Sequence, residues 1–244
     1  MPLGLTGDLK TTRDGNRRKR PRFFSQERRA VFLLVSIVLF LVLTPLLEGD
    51  RRGEVVIVSN MYLTLVAATL ELQENRIIFW SAIPVAAVSM FLLSVIQVYP
   101  TPGFLIANGL VLTIFFALVS VSLFAYLGRK KQITNDRLYV SVSLYFLLGM
   151  TWYAFYTFIN SVQPGSFAEA GVSLTDRLPA SKTLYFSYAT LTTLGYGDIV
   201  PVKPLARIVS VLEAVAGVLY IAITVARLVA SSQASSAEDS RGPK

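Results

Sequence analysis

Six long apolar stretches, separated by short polar segments, dominate the pattern of hydrophobic and polar positions along the chain. They lie at about 30–47, 55–72, 77–99, 104–127, 138–160 and 205–230. Roughly 17–25 mostly apolar residues in a helix cross a bilayer, so each stretch predicts one span. A shorter segment at about 182–192 lies between the fifth and sixth stretches and cannot cross. The pattern therefore predicts an all-α membrane protein with six transmembrane helices.

The composition agrees with a membrane protein and lowers the expectation of an enzyme. Of the 244 residues, 53% are hydrophobic and 16% are charged, and the mean hydropathy is +0.56. A soluble domain carries nearer a quarter charged residues. The chain has no cysteine and no histidine, so disulfides, thiolate metal sites and the commonest catalytic base are excluded. The sequence also offers no nucleophile–base pair, so we expect no enzymatic activity.

The basic residues that give the net charge of +8 are unevenly distributed along the chain. Nine Lys and Arg residues lie in residues 1–29. Placing this tail inside leaves most of the remaining basic residues on the inner side as well, which the positive-inside rule favours. The tail lacks interleaved aromatic residues, so anionic lipid, rather than nucleic acid, is the expected partner. We predict an integral protein of a bacterial-type plasma membrane, with both termini in the cytoplasm.

The stretch Thr190–Asp198, which reads Thr-Leu-Thr-Thr-Leu-Gly-Tyr-Gly-Asp, carries the candidate chemistry. A narrow cation pore replaces the water around an ion with rings of backbone carbonyl oxygens. Pointing successive carbonyls to one side requires positive φ at alternate residues, which glycine adopts readily. Gly195 and Gly197 have that spacing. The alternative is a chance Gly-Tyr-Gly turn in a loop, which the preceding threonines and the flanking spans disfavour.

The segment before this stretch predicts a helix that enters the membrane without crossing it. Residues 182–192 form a plausible three-turn helix, with Ser181 as a candidate N-cap. A re-entrant helix that runs inward directs its negative C-terminal end at the centre of the pore. Non-helical backbone at 193–198 is tolerated at that depth where it is buried in protein or lines a watery cavity.

Residues 190–201, set between two spans, resemble the signature of the potassium-channel pore family, and the resemblance covers about 138–230. Leu194 departs from the usual valine or isoleucine, and Ala189 stands where some relatives carry a glutamate that pairs with the aspartate. The resemblance implies a homotetramer that transports K⁺ passively. The implied filter residues are Thr193, Leu194, Gly195, Tyr196 and Gly197. The implied mouth and supporting residues are Asp198, Thr192 and Tyr185, with Tyr185 as the expected partner of Asp198.

The last span contains three further features of interest. Gly217 is a hinge candidate by the same resemblance, and the alternative is a small residue that permits close helix packing. Val218, Ile221 and Val225 follow at helical spacing and are candidates for lining a cavity. Glu213 is a charge within an apolar span. A gating role and a structural bond to the rear of the pore helix remain equally open for it.

The four N-terminal spans resemble in number the sensor region of voltage-gated channels. A steep voltage sensor needs three or four charges per subunit, yet residues 104–127 contain no Lys or Arg. We therefore expect a channel that is not steeply voltage-gated. Asn60, Glu71 and Asn108 are polar residues in these spans, and they favour helix–helix contacts over a ligand site.

The expected organisation has four parts. They are a basic tail at 1–29, a four-span region at 30–131, a pore region at 132–231 and a short disordered cytoplasmic tail at 232–244. Two other functions remain as alternatives. One is a less selective cation channel, which the intact Gly-Tyr-Gly disfavours, and the other is a non-conducting sensor or scaffold with a vestigial pore segment.

Overall fold

The computed structural model describes residues 26–129, 135–174 and 178–239. The helices are α1 (Gln26–Leu47), α2 (Arg51–Glu71), α3 (Arg76–Val98), α4 (Pro102–Arg129), α5 (Asn135–Val162), α6 (Ala180–Leu191) and α7 (Pro204–Asp239). A 3₁₀ turn at Leu72–Glu74 follows α2. The strands are β1 (Phe167–Glu169), β2 (Val172–Ser173) and β3 (Ile199–Pro201).

Six of these helices are long and apolar enough to cross a membrane, and they are α1 to α5 and α7. The prediction of six spans is confirmed for the part of the chain that the structure describes. Each helix begins slightly before the predicted apolar stretch, and in α1, α2 and α5 the added residues are mostly polar. In α2 the Asp50 carboxylate accepts a bond from Gly53 N at 3.4 Å, and in α3 the Asn75 side chain accepts one from Ile77 N at 3.2 Å. Such caps lie outside a hydropathy window.

Helix α5 lies at the centre of the packing, because it contacts α1, α4, α6 and α7. The Ser143 hydroxyl of α5 donates to the Ala30 carbonyl of α1 at 2.8 Å. Farther along the same two helices, the rings of Phe40 and Tyr153 pack edge to face with centroids 6.1 Å apart. The fully buried side chains that α1, α2, α4 and α5 contribute to this core include Leu33, Ile37, Leu65, Phe115, Phe116 and Leu147. The four-span region and the pore region therefore share one core.

A small antiparallel sheet of order β2-β1-β3 connects the loop before α6 with the chain after Asp198. Ala168 pairs with Ser173 on one side and with Val200 on the other. The prediction of an all-α fold missed this sheet, because strands of two or three residues are too short to show an alternating pattern. Phe167 of β1 is fully buried, and its ring packs edge to face on those of Tyr156 and Phe186.

Helix α7 continues to Asp239, so the prediction of a disordered tail from residue 232 is wrong as far as residue 239. The segment after the last span contains Ala, Ser, Gln and Glu and has no Gly or Pro before Gly242. Extending an existing helix needs no new nucleus, so such residues propagate it. Residues 240–244, and residues 1–25 of the predicted basic tail, lie outside the described residues.

Candidate functional site

The short helix α6 begins at Ala180, directly after Pro179, and no side chain of its own segment caps it. The prediction of Ser181 as N-cap is therefore wrong. The Glu48 carboxylate takes this place, accepting bonds from Ala180 N at 2.6 Å and Ser181 N at 3.1 Å. The Ser181 hydroxyl also donates to Glu48. Sequence reasoning missed Glu48, because this residue, which directly follows α1, is 132 positions away from Ala180.

The middle of α6 is fixed by hydrogen bonds to α5. The Ser187 hydroxyl lies 2.9 Å from the Gly149 carbonyl, and the Tyr188 hydroxyl donates to the Phe146 carbonyl at 2.7 Å. Gly149 has no side chain at the point where the two helices meet. A Cβ added there would lie 2.5 Å from the Tyr188 ring, so only glycine permits this approach.

Glu213 of α7 lies fully buried at the place where three helices meet. Its carboxylate accepts a bond from the Tyr156 hydroxyl of α5 and one from the Ser187 hydroxyl of α6, the latter at 2.7 Å. Of the two roles left open by the sequence, the structural bond to the rear of α6 is observed. A buried carboxylate is costly unless hydrogen bonds satisfy it, and these two hydroxyls supply them.

The backbone after α6 alternates in conformation over the stretch that carries the Gly-Tyr-Gly motif. Thr193, Gly195 and Gly197 have positive φ angles of 58°, 51° and 79°, respectively. The sequence led us to expect such angles at the two glycines but not at Thr193, since β-branched residues rarely adopt them. The amides of Leu194 and Gly195 both donate to the Ala189 carbonyl, at 2.8 and 3.1 Å. This stretch is therefore tied to the C-terminal end of α6.

All seven residues from 192 to 198 are exposed in the single chain. Leu194 is 54% exposed and Tyr196 is 69% exposed, so one chain alone does not enclose their side chains. Large apolar side chains at such exposure present a surface that further protein can cover.

Asp198 and Tyr185 lie together where this stretch ends. The Tyr185 hydroxyl donates a hydrogen bond to the Asp198 carboxylate, which lowers the pKa of that carboxyl below its ordinary value. The Ile199 amide donates to the same carboxylate at 3.0 Å. The Tyr185 ring is parallel to the Tyr196 ring, with centroids 6.5 Å apart. Asp198 is thus held ionised at the end of the Gly-Tyr-Gly stretch.

Gly217 of α7 lies against the C-terminal end of α6. A Cβ at Gly217 would lie 2.1 Å from the Leu191 carbonyl oxygen, a distance that no side chain tolerates. This contact supports the close-packing interpretation of Gly217, and α7 continues unbroken through it. The candidates Val218, Ile221 and Val225 are about half exposed in the single chain, at 52%, 48% and 52%.

The polar residues singled out in the four-span region are buried. Asn60 donates from Nδ2 to the Ser36 carbonyl at 3.4 Å, which is a contact between α2 and α1 of the kind predicted. Asn108 in α4 and Glu71 in α2 are 6% and 3% exposed.

Comparison with known proteins shows what the region around this site is similar to. Residues 140–233, less than half of the chain, match the model of a family described as an ion channel. The predicted resemblance to the potassium-channel pore family is confirmed over this stretch, and the six apolar helices support an integral membrane protein.

One curated relative is the inward rectifier potassium channel Kirbac3.1 of Paramagnetospirillum magnetotacticum. It is 35% identical over 65 residues, which is 27% of this chain and 18% of the relative. The chain thus matches only a small part of that relative's length. No solved structure matches the chain.

Proposed function

We propose that four copies of this chain form a potassium-selective channel that conducts K⁺ passively across a membrane. The observation that carries the proposal is the alternation of positive φ at Thr193, Gly195 and Gly197. In such a backbone, successive carbonyl oxygens turn to the same side of the strand. Four strands around one axis then offer K⁺ rings of oxygens in place of its hydration shell.

The filter in this proposal runs from Thr193 to Gly197, with the Thr193 hydroxyl adding an oxygen below the carbonyls. Asp198 lies at the outer mouth, where an ionised carboxylate attracts cations. Thr192 supports the inner end of the filter, since its hydroxyl donates to the Tyr188 carbonyl at 2.6 Å. The similarity to an inward rectifier potassium channel favours K⁺ as the transported ion.

Helix α6 acts as the re-entrant pore helix. Its 12 residues are too few to cross the membrane, and it leads directly into the filter. Its C-terminal end carries a partial negative charge that stabilises a dehydrated cation at mid-membrane. Glu48 at its other end places a carboxylate at the positive N-terminus, which is the favourable location for an anion.

The tetramer is supported by the exposure of the filter stretch and of α7. One chain leaves Leu194 and Tyr196 open, and one strand encloses nothing. In a ring of four chains, neighbouring subunits cover these side chains. Val218, Ile221 and Val225 then line the cavity below the filter or contact the next α7.

We place both termini in the cytoplasm, because the basic residues concentrate on that side of the six spans. The outer side then holds the sheet, the start of α6 and Asp198. A bacterial-type plasma membrane is the expected location. Helix α4 carries no basic residue between 104 and 127, so its movement transfers little charge and voltage dependence is shallow.

Ion flux in liposomes with a potassium gradient tests the function. The purified chain is expected to pass K⁺ and Rb⁺ and to exclude Na⁺, because the carbonyl rings match the larger ions. Gly195→Ala is expected to abolish selective flux, since a Cβ strains the φ of 51°. Gly128→Ala is the matched control, because its Cβ meets nothing within 4 Å.

The outcomes separate the alternatives. Comparable Na⁺ and K⁺ permeability in the unaltered protein would indicate a less selective cation channel. Absence of flux would indicate a sensor or scaffold with a vestigial pore. Mass measurement in detergent checks the assembly, and a functional monomer or dimer would contradict it, because two filter strands cannot surround an ion.

A further inference from the structure

The start of α6 depends on a residue outside the pore region. The first amides of any helix lack partners within that helix, and Pro179 at the N-cap position supplies no side-chain bond. Glu48, which follows α1 directly, bonds two of these amides and the Ser181 hydroxyl. Among the described residues, this carboxylate is the side-chain partner of the first α6 amides.

Helix α1 is itself fixed against α5, so Glu48 has a defined location. The Glu48 amide continues the helical pattern by donating to the Thr44 carbonyl at 3.0 Å. The contact of Phe40 with Tyr153 and the bond from Ser143 to Ala30 hold α1 along its length. The four-span region therefore sets the lateral position of the start of α6.

Hydrogen bonds, rather than tight packing, position the Glu48 side chain. Glu48 is half-buried and borders a cavity of about 460 Å³. Glu54 of α2, Pro179 and Ala180 line the same cavity. Loss of the carboxylate would therefore leave the start of α6 without its partners and with adjoining space in which to shift.

We propose that Glu48 is a positioning residue for conduction, through which the four-span region holds the pore helix where its C-terminal end supports the filter. The inference rests on the proposed channel function. Helix α6 is only 12 residues long and joins the filter through the bonds of Leu194 and Gly195 to Ala189. A shift at Ala180 is carried along so short a helix to the filter residues.

The test compares Glu48→Ala and Glu48→Gln with Glu54→Ala in the full-length protein. Glu54 is a matched control, because it lines the same cavity and, among the described residues, makes no side-chain hydrogen bond to α6. Hydrogen exchange of the 180–183 amides measures whether the hydrogen bonds that cap α6 are intact. Liposome flux of K⁺ and Na⁺ measures conduction and selectivity. Size-exclusion profiles establish that each variant is folded.

In Glu48→Ala, exchange at Ala180 and Ser181 is expected to accelerate and K⁺ flux to fall about tenfold, with discrimination against Na⁺ reduced. Glu48→Gln keeps an acceptor oxygen without the charge, so an intermediate flux is expected, and Glu54→Ala should match the unaltered protein. If Glu48→Ala does not fold, the amide exchange and the flux of Glu48→Gln alone decide whether the inference holds.

Faster exchange with unchanged flux and selectivity in the tested Glu48 variant would overturn the inference, because Glu48 would then cap α6 without affecting the filter. Unchanged exchange and flux would overturn it as well. An unaltered protein that conducts no K⁺ refutes the channel function itself and this inference with it, which distinguishes the two failures.

Discussion

The four-span region, α1 to α4, and the pore region, α5 to α7, use their buried hydroxyl groups differently. In the four-span region, most hydroxyls bond to a carbonyl of their own helix, as do those of Thr44, Thr64, Thr69, Ser89 and Thr113. Tyr62, which bonds Ser94 of α3, is an exception.

In the pore region, the hydroxyls of Tyr156, Ser187, Tyr188 and Tyr220 reach another helix, although others, such as those of Thr157 and Ser210, bond within their own helix. A bond to the same helix adds little to tertiary specificity, whereas a bond between helices fixes their relative position. Among the described residues, the pore region thus has more directional contacts between its helices than the four-span region has.

The largest effect on stability is expected where the backbones of α6 and α7 lie in contact in the pore region. Gly217→Ala places a Cβ 2.1 Å from the Leu191 carbonyl oxygen, which forces α6 and α7 apart. We expect a loss of about 3 kcal/mol or more in stability and no selective flux. Thermal unfolding in detergent and liposome flux measure the two effects. Gly128→Ala in the four-span region should change neither stability nor flux, and equal behaviour of the two variants would contradict the difference between the regions.

A smaller effect is expected for a matched pair of serine substitutions. Ser187 and Ser89 are both fully buried. The Ser187 hydroxyl lies within hydrogen-bond distance of an acceptor on α5 and one on α7, whereas the Ser89 hydroxyl donates to the Val85 carbonyl of its own helix. Ser187→Ala removes a partner from the buried Glu213 carboxylate and should cost about 1–3 kcal/mol. Ser89→Ala should stay within about 0.5 kcal/mol.

Thermal unfolding midpoints of these two variants measure how much each hydroxyl contributes to stability in its region. Similar losses of stability for Ser187→Ala and Ser89→Ala would show that the two hydroxyls contribute alike to the stability of their regions. A larger loss for Ser89→Ala would reverse our interpretation.

The smallest effect is expected for the dependence of conductance on membrane voltage. With no basic residue from 104 to 127, the four-span region should contribute almost no gating charge. Conductance recorded against voltage in planar bilayers with symmetrical K⁺ should give an apparent value of about one or two charges per tetramer, since ion movement in the filter itself gives weak dependence. A value on the order of ten would mean that the four-span region is a voltage sensor.

The features that the sequence predicted well are those encoded locally. Six apolar runs are long enough to identify six helices without knowledge of their partners. Gly195 and Gly197 are recognisable because few residue types adopt positive φ. The same locality explains the error at Ser181, since a local cap was expected and a distant carboxylate occupies that role.

The features that the sequence did not predict depend on residues far apart along the chain. Glu48 meets α6 only after α1 packs on α5, and no spacing in the sequence encodes that contact. Glu213 was recognisable as a buried charge, but its partner Tyr156 lies 57 positions away. Positive φ at Thr193 likewise follows from its surroundings and not from its residue type.

The small sheet has a consequence for the conformational entropy of the Gly-Tyr-Gly stretch. Pairing of Phe167 with Pro201 and of Glu169 with Ile199 closes a loop that contains all of α6 and the Gly-Tyr-Gly stretch. Closing a loop of roughly 30 residues restricts the conformations of everything inside it, at a cost that grows only slowly with length. The chain from α6 to Asp198 is therefore tethered at both ends, and in the proposed channel the binding of an ion would need to order little further backbone.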